Sequence, residues 1–425
     1  MQIIKYPKRS QWREILARPA FDTSSLNKIV GDVLSDIKER GDKAILEYEE
    51  KFDKVKLASL QVSGEEIHES ENLVSGELKD AIRIAKRNIE IFHGSQVFET
   101  KKIETTSGVT CWQKAVAIEK VGLYIPGGTA PLFSTVLMLA IPANIAGCKE
   151  IVLCSPPNKE GKIHPAILFA AKEAGVSKIF KIGGIQAIGA MAYGTESVSK
   201  VYKIFGPGNQ YVMTAKQLAS LRDVAIDMPA GPSEVQVIAD DTANPAFVAA
   251  DLLSQAEHGA DSQVILTTTS EVLINKVLQE IECQVAELPR CEIAEKALQN
   301  SKLILLKDEQ EIIDMTNQYA PEHLIIETSN YIDIAEKVIN AGSVFLGHYT
   351  PESAGDYASG TNHTLSTNGY ATAYSGVNLD SFIKKITFQE ITKQGIRNLG
   401  SAIEIMAENE ELFAHKNAVT LRLEE

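Results

Sequence analysis

A chain of 425 residues is too long for one ordinary hydrophobic core, so its length predicts a multidomain globular protein. Its 42 Lys and Arg against 56 Asp and Glu leave a net charge of −14, which excludes a nucleic-acid partner, whose phosphates need clustered cations. The composition, 44% hydrophobic and 23% charged, excludes a disordered or fibrous chain, and no run approaches the roughly 18 apolar residues of a spanning helix, so no membrane partner is expected.

The opening Met1-Gln2-Ile3-Ile4-Lys5-Tyr6-Pro7-Lys8 lacks the apolar stretch of a signal peptide, which makes the cytoplasm the expected location. From about residue 22 to 100, apolar side chains recur at helical spacing, as in Ile29, Val33 and Ile37 or Leu78, Ile82 and Ile89, with polar faces between. This stretch predicts helices. From about residue 115, short β-branched runs alternate with helical stretches, at 150–154, 178–182, 201–205, 235–239, 264–267, 303–306, 323–326 and 344–346. That alternation predicts an α/β architecture with a largely parallel sheet. After about residue 380 the pattern turns charged and helical again, over 382–387 and 396–413, which predicts a small terminal helical module. Five cysteines, Cys111, Cys148, Cys154, Cys283 and Cys291, are odd in number and show no CxxC spacing, so they read as reduced structural thiols.

Four segments offer ligand or acid–base chemistry. In Asn244-Pro245 to His258-Gly259, a capping Asn, a Pro at the first helical position and a terminal Gly delimit a helix. Gln255 and His258 then share the last turn and one metal ion can bridge them, although by itself the pair reads more readily as the end of a surface helix. Ala320-Pro321-Glu322-His323 sets an acid and an imidazole before an apolar strand. They suit water activation and proton transfer if the backbone turns there, and a solvated loop pair otherwise. A glycine-rich loop from Gly355 to His363 adds Asp356 and His363, as ligands or as a structural turn. Glu410 to His415 places another His beside acids on a terminal helix, where a solvated face is the plainer reading. Together they form a nitrogen and oxygen donor set without thiolates, which fits a catalytic zinc better than a structural one.

Two turns, near Gly183-Gly184 and Gly206-Pro207-Gly208, stand where strand ends feed helices, and such folds bind ligands at the carboxyl ends of parallel strands. The dinucleotide fingerprint is incomplete, because Tyr211 occupies the third glycine position after Gly206 and Gly208. The phosphate loop of nucleotide triphosphatases is also absent, since Gly184 to Gly189 runs into Ala190-Met191.

Seven segments in register nonetheless resemble the histidinol dehydrogenase family. They are 121–128, 205–209, 230–234, 254–258, 320–324, 355–357 with 362–363, and 415–418, and the likeness spans roughly residues 20 to 422. The resemblance implies two Rossmann-like parallel-sheet domains of the aldehyde and histidinol dehydrogenase kind, with helical N- and C-terminal segments and an intertwined homodimer. Residues 1–21 would form the N-terminal helical segment. Residues 22–123 with 234–379 would form the domain carrying zinc and the acid–base residues, 124–233 the NAD side, and 380–425 the helical segment reaching the partner subunit. The implied reaction oxidises L-histidinol through L-histidinaldehyde to L-histidine with NAD, and one Zn2+ per subunit holds the substrate. Gln255, His258, Asp356 and His415 would be the zinc ligands, and Glu322 and His323 the catalytic water activator and base. Ser233, His363 and Glu410 would touch substrate together with those residues, and Tyr124, Gln186 and Asn209 would touch NAD. His415 and Glu410 would cross the dimer interface.

Two positions depart from the family pattern. Ser366 stands where Pro is common, and Ile325 where an acid is frequent. Other readings remain open at this level. A relative acting on another amino or sulfonated alcohol would alter residues at the substrate's ends, yet Ser233, His363 and Glu410 are in place. A silent zinc-binding scaffold has no use for Glu322 beside His323, and a zinc hydrolase would turn over without nicotinamide.

Overall fold

The computed structural model describes residues 1–19, 24–127, 130–176, 178–229 and 231–425. Gly128 and Ala230, quoted in the motifs above, and the segment boundary expected at 21–22 lie outside them. All eight strands predicted between 150 and 346 form, and the α/β expectation holds. They contribute to two separate parallel sheets, and Ile103–Thr106, Val109–Ala117 and Ile383–Ile391 form a third, antiparallel one.

The five-stranded sheet runs Lys178–Lys181, Glu150–Ser155, Lys120–Tyr124, Lys203–Phe205 and Ala225–Ile226. Numbered along the chain this is 3-2-1-4-5, the doubly wound order, whose direction reverses between Lys120–Tyr124 and Lys203–Phe205. The six-stranded sheet runs Gln2–Lys5, Lys302–Leu305, Gln263–Thr268, Glu234–Ala239, His323–Glu327 and Ser343–Leu346. Without the edge strand Gln2–Lys5 it repeats the same order, reversing between Glu234–Ala239 and His323–Glu327. Every residue of these two central strands is buried, because helices cover both faces, and that is why they read as unbroken apolar runs.

Three expectations need correction. The N-terminal segment is not wholly helical: Gln2–Lys5 adds as an edge strand to Lys302–Leu305 before the short helix Trp12–Ile15. Its strand signal is only Ile3-Ile4, and the pairing partner lies three hundred positions away. Residues 383–391 form a strand, not a helix, paired antiparallel with Val109–Ala117 along nine positions. Phe388 sits opposite Trp112 there and stacks on it at 5.4 Å, a cross-strand contact that local periodicity does not reveal.

The third correction concerns residues 22–123. The helices Ser24–Arg40 and Gly76–Gly94 do not pack with the six-stranded sheet. Val30, Leu34 and Ile37 bury against Phe180, Ile185 and Ile188, and Ile82 and Ile89 against Val136, Leu139 and Phe169, all on the five-stranded side. Gly189 permits the first of these contacts, since a Cβ there would lie 3.0 Å from Ile37 Cδ1. Lys120–Tyr124 likewise belongs to the five-stranded sheet. No described helix is long and apolar enough to cross a membrane.

Candidate active site

The two central strands of the six-stranded sheet begin at Glu234 and His323, and the candidate acid–base residues collect at these amino ends. The helix Glu309–Tyr319 ends in Ala320 with a φ of 50°, so the chain turns sharply before the strand. This turn lets neighbouring side chains converge instead of pointing apart. Glu322 and His323 are both buried, with Glu322 Oε2 3.6 Å from His323 Nδ1. The Glu234 backbone N–H donates to Glu322 Oε2 at 3.0 Å and fixes that carboxylate. Glu234 is itself held by Arg18, whose Nε donates to Oε2 at 2.7 Å, and by the Asn368 N–H.

Gln255 comes from the helix Pro245–Ala256, capped by the Asn244 side chain as its sequence predicts. The helix stops at Ala256, so His258 lies just beyond it, and the two do not share one environment: Gln255 is 1% exposed whereas His258 faces solvent. Gln255 Nε2 lies 2.9 Å from His323 Nδ1. Asp356 does not sit in a loop as expected, but on the one-turn helix Glu352–Tyr357, with Oδ1 3.6 Å from His323 Nε2. One turn earlier on that helix, Glu352 is 1% exposed.

The donor atoms here lack protein partners. Gln255 Oε1, His323 Nε2, Glu352 Oε2 and Asp356 Oδ1 are buried without a hydrogen bond. Orphaned buried polar atoms are costly unless something outside the chain satisfies them. Ligand atoms of His258, Glu352 and Asp356 also lie within 4.8 Å of one another. Imidazole, amide and carboxylate donors converging without protein partners fit a divalent cation such as zinc.

Charge is concentrated to match. Burial and the neighbouring Asp356 and Glu322 push the Glu352 carboxyl up to about 8, against the favourable pull of His323. Burial opposes charge on His323, yet the carboxylates of Glu352 and Glu322 outweigh it and hold the imidazolium well above the ordinary histidine range. For Asp356, burial is outweighed by the His323 ring 3.6 Å away and by the surrounding imidazoles, which hold it low. Protein crowding lowers His258 although its surface is open, with Asp356 working the other way.

Of the remaining candidates, Ser233 adjoins Glu234 and lines a crevice with Arg18 and Asn368. His363 is tied in by Nδ1, 2.8 Å from the Asp356 carbonyl, and by Nε2, 3.0 Å from Thr135 Oγ1 on the helix Phe133–Ala146 of the other half. Glu410, just past the helix Lys393–Asn409, and His415, on the helix Phe413–Glu424, are exposed, and the two helices pack on each other. Nothing described within the chain brings them to this site.

Tyr124, Gln186 and Asn209 form a second group at the carboxyl ends of the five-stranded sheet. Tyr124 Oη accepts from the Gly184 N–H at 3.2 Å. Gln186 is buried and its Nε2 reaches Glu49 Oε1 at 3.3 Å and Asp53 Oδ2 at 3.4 Å. Asn209 caps the helix Gln210–Ser220, its Oδ1 accepting from Tyr211 and Val212 N–H groups, and it remains exposed. At Gly206, φ is 124° and a Cβ would lie 2.1 Å from the Tyr124 carbonyl oxygen, so only glycine fits. An exposed helix N-terminus behind an obligatory glycine turn fits a dinucleotide phosphate even without the full fingerprint.

Comparison with known proteins gives the family. The histidinol dehydrogenase family model matches residues 16–423. A histidinol dehydrogenase of Bacteroides thetaiotaomicron is 71% identical over 423 residues, covering 100% of this chain and 99% of that one. That of Escherichia coli is 54% identical over 416 residues, covering 97% and 95%. The crystal structure of histidinol dehydrogenase from Elizabethkingia anophelis superposes with a TM-score of 0.98 at 58% identity, covering 100% of this chain and 98% of that one. The chain belongs to the histidinol dehydrogenase family. It is accordingly an oxidoreductase of histidine biosynthesis.

Both departures from the histidinol dehydrogenase pattern are absorbed by packing. Ser366 is fully buried, its hydroxyl donating to the Tyr374 carbonyl at 3.1 Å, and Ile325 is a core residue of its strand. Three site neighbours escaped the sequence reading: Glu352, Glu234 and Arg18. Glu352 precedes Asp356 by one helical turn, a spacing visible only once that stretch is read as helix.

Proposed function

We propose that this chain performs the NAD-dependent four-electron oxidation of L-histidinol, through L-histidinaldehyde, to L-histidine, the last step of histidine synthesis. The observation that carries the reading is the buried convergence of Glu322, His323, Gln255 and Asp356 with four unpartnered donor atoms in a histidinol dehydrogenase family member. Gln255, His258 and Asp356, with His415 of a second copy of the chain, would hold one zinc ion. Zinc held there would orient the substrate and offset the carboxylates around His323, and NAD would supply the hydride acceptor.

The chain's own residues then handle protons and water. His323 receives the hydroxyl proton at Nε2, the ring nitrogen free of a hydrogen bond. Glu322, anchored by the Glu234 N–H, activates the water that adds to the aldehyde, and His323 takes the proton of the resulting hydrate. One histidinol, two NAD+ and one water give one histidine, two NADH and three protons. Ser233, His363 and Glu410 orient the substrate, and Tyr124, Gln186 and Asn209 seat the dinucleotide. Exposed Ile405, Met406, Leu412 and Phe413 beside Glu410 and His415 support a homodimer in which these helices cover a partner.

The test is NADH formed per histidinol by the purified, zinc-loaded protein, repeated after chelation. Two NADH, abolished by chelator and restored by zinc, is the expected result. Turnover without NAD, or none with zinc bound, would overturn the reading.

A further inference from the structure

The carboxyl end of the five-stranded sheet contains an ion pair that takes no part in the reading above. Lys216, on the helix Gln210–Ser220, and Asp227, just after Ala225–Ile226, have side chains 1% and 2% exposed, with Nζ 2.5 Å from Oδ1. Both groups also grip the same residue. Lys216 Nζ donates to the Gly206 carbonyl at 2.8 Å, and Asp227 Oδ2 accepts from the Gly206 N–H at 2.9 Å. Asp227 Oδ1, the oxygen facing Lys216, also accepts from the Met228 N–H at 2.8 Å.

A buried ion pair loses the hydration of two charges and is often replaceable by apolar side chains without loss of stability, so stability alone explains this one poorly. Its geometry suits another task. Gly206 adopts a φ of 124° where a Cβ would meet the Tyr124 carbonyl, and glycine's backbone freedom gives this turn no conformational lock of its own. The pair satisfies the donor and the acceptor of that one residue, with charge-assisted hydrogen bonds from opposite sides. Asn209, three residues on, opens the helix whose N-terminus is exposed.

We propose that Lys216 and Asp227 are positioning residues for cofactor binding, locking the Gly206 to Asn209 turn in the shape that receives the dinucleotide phosphates. The inference rests on reading that turn as the NAD site, and neither side chain touches the cofactor. Because the turn lies on the five-stranded sheet, the effect falls on NAD and leaves the histidinol side intact.

Two variants test it. Lys216→Met removes the charge at nearly constant volume, and Lys216→Met combined with Asp227→Leu removes the pair so that no buried charge is stranded. Both are expected to raise KM for NAD at least about tenfold, with kcat at saturating NAD within about twofold of wild type. KM for histidinol and zinc content should not move, and NADH titration by fluorescence should show the same loss of affinity. The double variant decides if the single one misfolds. If it melts like wild type and keeps the wild-type KM for NAD, the pair is structural only and the proposal falls. Parallel loss of histidinol and NAD binding would also overturn it. Failure of the wild-type protein to bind NADH would instead overturn the reading of the turn, an outcome visible before any variant is made.

Discussion

The five-stranded and six-stranded sheets share one strand order, yet their candidate ligand residues collect at opposite ends. In the first, Tyr124, Gly206 and Asn209 lie at or just beyond the carboxyl ends of the central strands, where the helix Gln210–Ser220 begins. In the second, Glu234, Glu322 and His323 lie at the amino ends, where the helices Pro245–Ala256 and Glu309–Tyr319 finish. Helix N-termini carry partial positive charge and helix C-termini partial negative charge. The same architecture therefore offers an anion seat at one sheet and a cation seat at the other. A dinucleotide phosphate suits the first and a metal ion among carboxylates suits the second.

The largest expected effect would come from the amino-end cluster. His323→Asn should lower kcat about 1,000-fold or more, and Glu322→Gln should stall the second oxidation more than the first, seen as one NADH released promptly per site in single turnover. Equal losses in both steps would break the division of labour between Glu322 and His323. Next, Gln255→Ala and Asp356→Asn should each weaken zinc binding by about tenfold to 100-fold in chelator competition while leaving NADH affinity unchanged. Lost NADH binding in those variants would mean that the two ends are not separate seats.

A smaller, pH-dependent effect sharpens the other half. Glu49 accepts from the Gly183 N–H at 3.1 Å and is fully buried, and burial with the nearby Asp53 raises its carboxyl from 4.5 to about 8. Between those values the folded chain keeps a proton that the unfolded chain has released, so Glu49 makes stability fall as pH rises through this window and become level above it. Glu49→Gln should flatten the decline of Tm between pH 5 and 8. An unchanged slope would show that Glu49 ionises normally in the fold. The mildest change, Trp112→Ala in the antiparallel sheet, should cost roughly 1 kcal/mol of stability from its Phe388 stack, beyond the area it buries, with no change in either ligand's affinity; urea unfolding measures the loss.

Much of the parallel architecture was legible because each buried strand announces itself within a few residues, as Val235–Ala239 and His323–Ile326 do. Ile383–Ile391 was not, since its β character depends on Val109–Ala117, far away in the chain. The helices before residue 100 were legible as helices, but the sheet they cover was not, because an apolar stripe does not name its partner. At the site, the family-like segments named most candidates. Their spacing did not show that Gln255 is buried while His258 is open, or that Glu352 joins them.

By itself the sequence determined the alternation of strands and helices, the helix capped by Asn244 and the acid–imidazole pair before a strand. These are local properties, set by backbone conformation and side-chain pattern over a few residues. Only the tertiary structure decided which strand ends face a ligand, which donor atoms are left without partners, and that Lys216 and Asp227 meet across Gly206. Those depend on burial and on contacts between distant residues, where the cost of an unsatisfied polar atom, and not local propensity, fixes the arrangement.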